Sequence, residues 1–255
     1  VLELFTPHRE TWLYRVNPAL KFVVFFAFML IVLFNQNFHF ALNQLILYGV
    51  LVYSFSGYSW RKLLLFSVPI VISFVSSAAT MMLFGKGVTI WWSWGLIKIS
   101  EESFNYGLLL GFKTLSFGFI SLVFLLTSRP ILLFYALMQQ FRLPSKYAYS
   151  FIASIRLMPV IVEELQTRSD ALKIRGVHFP KGLKGIFQRL RMYTVPLFAQ
   201  SIRRAQRVAV AMEAKRFQMG AKRTYYYPTT YERVDAVFVI VMVVSFASAL
   251  VLSVR

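Results

Sequence analysis

Two short runs carry the most distinctive chemistry in the chain. Lys173-Ile174-Arg175-Gly176 and Ala214-Lys215-Arg216-Phe217 each set an arginine among small or apolar neighbours at the end of a long helix-patterned stretch. An arginine presented at a helix tip can enter a groove and fork its five donors onto carboxylates or exposed carbonyls. Each run also has a plainer reading. Cations stabilise the negative carboxyl end of a helix by about 0.3–1 kcal/mol, and Gly176 suits a C-cap. That reading covers either run alone; the same ending on two long basic helices points to a partner.

Enzyme chemistry finds little support. His8, His39 and His178 are scattered and lack metal-ligand spacing, so no metal site is expected. Glu163 and Glu164 are adjacent, which aims them in different directions on a helix. The absence of cysteine removes thiolate chemistry and disulfides. There is no glycine-rich phosphate loop, so this chain is not expected to hydrolyse a nucleotide, and no cofactor is expected.

The elements that must present the two tips are helical. Pro144-Ser145 reads as a helix start with Ser145 as N-cap, and the stretch runs to Arg175 with Pro159 predicted to kink it. After a loop with Phe179-Pro180 and Gly182, a second helix is expected over about Leu183–Phe217. Pro196 is its kink, and Gly220 lies just beyond its end. Arg203, Arg204 and Arg207 alternate with Ile202, Val208, Ala209 and Met212, an amphipathic pattern suited to a membrane surface or a partner protein. Residues 129–233 hold 19 of the 28 Lys+Arg residues against five acids, which is +14 of the net +18.

That basic segment lies between membrane-grade apolar stretches. The chain is 58% hydrophobic with a mean hydropathy of +0.61, and Phe22–Trp60 has no Asp, Glu, Lys or Arg. Five spans are expected, near Leu20–Phe34, Phe38–Phe55, Leu63–Phe84, Phe104–Thr127 and Val234–Val254. Glu3, His8, Arg9 and Glu10 before the first do not resemble a secretory signal. Arg9, Arg15 and Lys21 precede span one, and Arg61 and Lys62 separate spans two and three. The positive-inside rule therefore puts the amino terminus and basic segment in the cytoplasm and Arg255 outside. The outer loop, with Lys86, Lys98, Glu101 and Glu102, is mixed in charge. Trp91, Trp92 and Trp94, close to Gly85, Gly87 and Gly95, read there as an interfacial anchor or re-entrant turn, with an aromatic ligand cage as the rival. Lys113 inside span four is either a pathway residue or a snorkelling, interhelical hydrogen-bonding one.

A family resemblance now becomes specific. Ile155-Arg156-Leu157-Met158-Pro159 through Glu163 to Ala171-Leu172-Lys173-Ile174-Arg175-Gly176 resembles the arginine, proline, glutamate, Ala-Arg-Gly pattern of the transmembrane coupling (T) components of energy-coupling factor transporters, which include the cobalt-transport membrane subunit. Ala211-Met212-Glu213-Ala214-Lys215-Arg216-Phe217 is similar to that family's second signature. Asn17-Pro18 with Lys21, and Thr127-Ser128-Arg129-Pro130 through Leu143-Pro144, resemble its other motifs. Ile174 stands where alanine is usual. Aligning the second signature on Ala-Met-Glu-Ala puts Lys215 at the arginine position; aligning on the arginine makes Arg216 the key residue, the choice favoured by guanidinium geometry.

The resemblance implies an all-α membrane protein with about five transmembrane helices and two long, kinked cytoplasmic coupling helices before the last span. The domains expected are 1–128, 129–233 and 234–255. It implies a non-catalytic subunit in a prokaryotic cell membrane, serving an importer of a vitamin or metal ion. Arg175, Gly176, Lys215 and Arg216 would contact two ABC-type ATPase subunits, while a membrane-embedded substrate-binding S component would sit on the apolar helix faces. Arg156, Pro159 and Glu163 would shape the first coupling helix, with a buried Arg156–Glu163 ion pair and a partner contact both open. The competing reading is a structural or anionic-lipid-binding membrane protein without ATPase partners. Nucleic acid is not expected: the one tight aromatic cluster, Tyr225-Tyr226-Tyr227, abuts the last span.

Overall fold

Asn17 starts the first long helix in the computed structural model, which describes residues 8–85, 87, 89–94, 97–218 and 224–254, with backbone alone at 92–94, 97–98 and 253–254. Its side chain accepts the Ala19 N–H at 3.0 Å, and Pro18 supplies a helix-ready φ at N1. The short helix α1 (Trp12–Arg15) leads into this α2 (Pro18–Phe34). Asn35 closes α2 with its side chain on the Asn37 N–H at 2.9 Å, and α3 (Phe38–Phe55) turns back. α4 (Trp60–Phe84) and α5 (Glu101–Thr127) follow, joined by an antiparallel pair of strands, β1 (Ile90–Trp94) and β2 (Ile97–Ser100). α6 (Pro130–Gln140), α7 (Ser145–Ile174), α8 (Leu183–Ala214) and α9 (Arg233–Val254) complete the chain.

α3, α4, α5 and α9 are long and apolar enough to cross a membrane, and α2 is a shorter apolar helix of 17 residues. The chain is a multi-pass, all-α membrane protein with five apolar helices, as its composition predicts. The tryptophan loop between α4 and α5 is a β-hairpin of Ile90–Trp94 and Ile97–Ser100. Trp91 is exposed and lies 6.1 Å from the Phe104 ring. The side chains of Trp92, Trp94 and Lys98 lie outside the described residues, as do Lys86, Gly95, Gly220 and Arg255.

The chain forms two compact units: Val1–Ala136 with Thr229–Arg255, and Leu137–Pro228. In the first, Phe28 and Phe40 meet Phe246 edge-on at 5.6 and 5.7 Å, and Phe25 meets Phe238 at 5.5 Å, tying α2 and α3 to α9. α4 lies tight against α5 because α5 is glycine there: a Cβ at Gly111 would come within 2.6 Å of Phe74, and one at Gly118 within 2.2 Å of Ile70. Hydroxyls along α4 turn inward on their own helix, as Ser67 does on the Leu63 carbonyl at 2.9 Å and Thr80 on the Ser76 carbonyl at 2.7 Å. Lys113 is an interhelical hydrogen-bond donor. Its Nζ caps the Leu33 carbonyl in the last turn of α2 at 3.0 Å.

Candidate functional site

The second unit is built on α7 and α8. α7 begins with Pro144 as its N-cap and Ser145 as its first helical residue, one position away from the sequence expectation. The Pro144 carbonyl accepts the Ala148 N–H, so proline serves where a hydroxyl cap was expected. Both helices run unbroken through their prolines, Pro159 and Pro196, each of which removes one ladder donor.

Three contacts fix how α7 and α8 lie. Tyr149 near the start of α7 meets Phe217 just past the end of α8, with ring centroids 5.8 Å apart. Midway, Glu164 Oε1 accepts hydrogen bonds from Gln200 Nε2 at 2.9 Å and from the Arg204 guanidinium. Further along, the Tyr193 hydroxyl donates to Ser169 Oγ at 3.3 Å. Residue numbers rise on one helix as they fall on the other, so the pair is antiparallel. The Arg204–Glu164 ion pair is largely buried, the side chains being 20% and 17% exposed.

This crossing bears on one of the two readings left open for Arg156 and Glu163. No ion pair joins Arg156 to Glu163 among the described residues; both side chains are exposed. The two residues are seven apart and share the outer face of α7, whereas Glu164, about 100° further round, faces α8. Gln200, Tyr193 and Ser169 escaped the sequence reading, which took up Glu164 and Arg204 without their pairing. The spacing of Gln200 and Arg204 marks one helix face, but no local signal names the acid that meets it.

The two helix ends are built alike. At the end of α7, Arg175 is the C-cap and Gly176 takes φ +64°; the Gly176 N–H reaches the Lys173 carbonyl at 3.0 Å and the Val177 N–H the Leu172 carbonyl at 3.1 Å. At the end of α8, Lys215 is the C-cap and Arg216 takes φ +51°; Arg216 N–H reaches Glu213 at 2.8 Å and Phe217 N–H reaches Met212 at 2.9 Å. Both are Schellman motifs in the same register. α8 therefore ends at Ala214, three residues before the sequence estimate, because Arg216 is left-handed. The backbone register aligns Lys215 with Arg175 and Arg216 with Gly176.

Arg175, Gly176, Lys215 and Arg216 are all exposed. A Cβ at Gly176 would meet nothing within 4 Å, so glycine is there for its φ alone. Arg216 holds the same conformation at the cost an L-residue incurs, about 1–2 kcal/mol. Arg175 lines a groove of 540 Å³ with Arg168, Leu172, Glu163 and Gln200, and Lys215 and Arg216 line one of 490 Å³ with Val208, Met212 and Phe217. Lys173 is held charged by Asp170, whose carboxylate accepts its hydrogen bond at 2.9 Å and raises its pKa. Since Tyr149 pairs with Phe217 and Arg175 lies 26 residues further along α7, the two tips sit at opposite ends of the pair, about 40 Å apart. Between them Phe151, Met158, Phe187, Phe198 and Ile202 are exposed.

Residues 9–226 match the cobalt transport protein family, CbiQ. The chain is 29% identical over 260 residues to the energy-coupling factor transporter transmembrane protein EcfT of Limosilactobacillus fermentum, covering 95% of each chain. The protein of the same name from Lactococcus lactis subsp. cremoris is 28% identical over 247 residues, 92% of this chain and 91% of its own. That of Listeria innocua is 28% identical over 229 residues, 84% of each.

Proposed function

The chain belongs to the cobalt transport protein (CbiQ) family, and on that premise we propose that it is the membrane coupling subunit of an ATP-driven importer of the energy-coupling factor type. One observation carries the reading: two identically built basic helix ends stand at opposite ends of one antiparallel pair. A separation of about 40 Å is too great for one small ligand and suits two copies of a protein partner, each with a groove for one tip. Those partners are two ABC-type ATPase subunits. The basic unit is cytoplasmic, and ATP is hydrolysed on the partners.

Exposed apolar side chains along α7 and α8 would carry a membrane-embedded substrate-binding S component, which selects the vitamin or metal ion. Closure of the ATPases would pull on both tips, alter the packing of α7 on α8, and tip the S component so that its substrate opens inward. Two mutants test the tips: Arg175→Glu with Lys215→Glu, and Arg175→Glu with Arg216→Glu. Loss of copurifying ATPases with membrane insertion intact is expected from at least one; full ATPase recovery with both would defeat the assignment. Recovery of anionic lipid without any ATP-binding subunit from native membranes would favour the lipid-binding alternative.

A further inference from the structure

The Asn17-Pro18 and Lys21 motif is not used by the helix tips, yet among the described residues it contains the most thoroughly buried cation of the first unit. Lys21 is 1% exposed. Its Nζ donates to the Thr127 carbonyl at 3.0 Å and to Thr127 Oγ1 at 3.3 Å, and Asp235, itself 3% exposed, is the opposite charge acting on it. A buried ammonium is costly unless so partnered, and here it caps the end of α5. Asp235 is occupied twice. One oxygen accepts the Glu232 N–H at 2.8 Å, starting α9, and the other accepts the Asn17 N–H at 2.7 Å. The first turn of α2 thus holds the last residue of α5 and the first turn of α9.

Those are the two places where the chain leaves and re-enters the membrane unit, each within about ten residues of the unit boundary. On the far side of that boundary the two connections are also joined, Gln139 Nε2 donating to the Tyr227 carbonyl at 2.8 Å. We propose that Asn17 and Lys21, with Asp235, form a latch that clamps both connections to one point of the membrane unit, so that they leave it at one fixed spacing instead of independently. Lys21 is then a positioning residue. Its effect on transport rests on the coupling function proposed above, whereas the latch itself does not.

The chain has no cysteine, so Leu133→Cys and Thr230→Cys give a spin-label pair on the two connections with no background. In the full-length protein in lipid nanodiscs, a narrow distance distribution is expected. Losing a charged hydrogen bond raises an open population about tenfold or more, so Lys21→Met and Asp235→Asn should each add a broad, longer component. Lys21→Arg, which keeps a donor for the Thr127 carbonyl, should restore the narrow one. If Lys21→Met misfolds by size exclusion, Asp235→Asn alone decides, because it removes charge and leaves one acceptor. Unchanged widths in the folded variants overturn the latch. In the complete transporter, Lys21→Met should lower uptake per ATP hydrolysed; widened distances with that ratio unchanged would overturn its positioning role. Absence of ATPase partners from the wild-type protein would defeat the coupling function and leave the distance result standing.

Discussion

Arg216→Gly separates the two basic residues at the end of α8. Arg216 sits at φ +51° in the position that Gly176 fills on α7. Glycine there relieves about 1–2 kcal/mol of left-handed strain. It costs about 0.5–1 kcal/mol in unfolded-chain entropy and a few tenths in lost charge at the helix end. The net is a gain of about 0.5 kcal/mol, or roughly twofold greater protection for the two amides that close the Schellman motif, the N–H at the substituted position and that of Phe217. Amide hydrogen exchange in detergent reads it. The same variant tests function. If register governs, Lys215 does on α8 what Arg175 does on α7, so Arg216→Gly keeps its ATPases while Lys215→Glu loses them. Weaker protection in Arg216→Gly would refute the strain argument. Retention by Lys215→Glu combined with loss by Arg216→Gly would refute the register and return the role to the guanidinium.

Other perturbations probe the frame around the tips. Removing Glu164 or Arg204 from their largely buried pair should cost about 2–4 kcal/mol each, with a coupling of at least about 1 kcal/mol in a double-mutant cycle of Glu164→Ala and Arg204→Met read by exchange in α7 and α8. Gly118→Ala drives a Cβ to 2.2 Å from Ile70 and should lower the thermal midpoint in detergent, by about 1–3 kcal/mol of overpacking. Gly176→Ala meets no atoms, so its cost of about 1 kcal/mol should be conformational only and confined to exchange at the end of α7. Lys113→Met frees the Leu33 carbonyl and should loosen the last turn of α2 by about 1 kcal/mol, seen as faster exchange at Phe34 and Asn35.

The apolar helices were legible because hydropathy is a local property. Phe38–Phe55 has the bounds its composition predicts, and α5 starts only three residues early, where Ser100 and Ser103 close a capping box. The helix ends were less legible. Ser145 looked like the cap until Pro144 took the role, and α8 stops at Ala214 because of a φ value that composition does not encode. Least legible was the bond between α7 and α8. Glu163 and Glu164 are chemically identical neighbours, and only the rotation of α7 against α8 decides which of them is buried. The tie between α2 and α9 was as hidden, since 218 residues separate the Asn17 N–H from the Asp235 carboxylate that accepts it.

The bond between α7 and α8 bears on how the pair can move. An interdigitated leucine seam would hold one register, because sliding by a turn would open cavities along its whole length. Here the central contact is one carboxylate facing Gln200 and Arg204, which are one turn apart on α8, and its second oxygen is buried with no hydrogen-bond partner. Arg207 lies about one further turn along, and exposed. A one-turn shift bringing Arg204 and Arg207 to Glu164 would keep its charge partnered, but the same shift would break the Tyr193–Ser169 and Tyr149–Phe217 contacts. The same shift would carry the two tips in opposite senses relative to their neighbouring helices. A polar crossing is thus less committed to one register than a leucine seam, and the ring and hydroxyl contacts on either side of it hold the register observed.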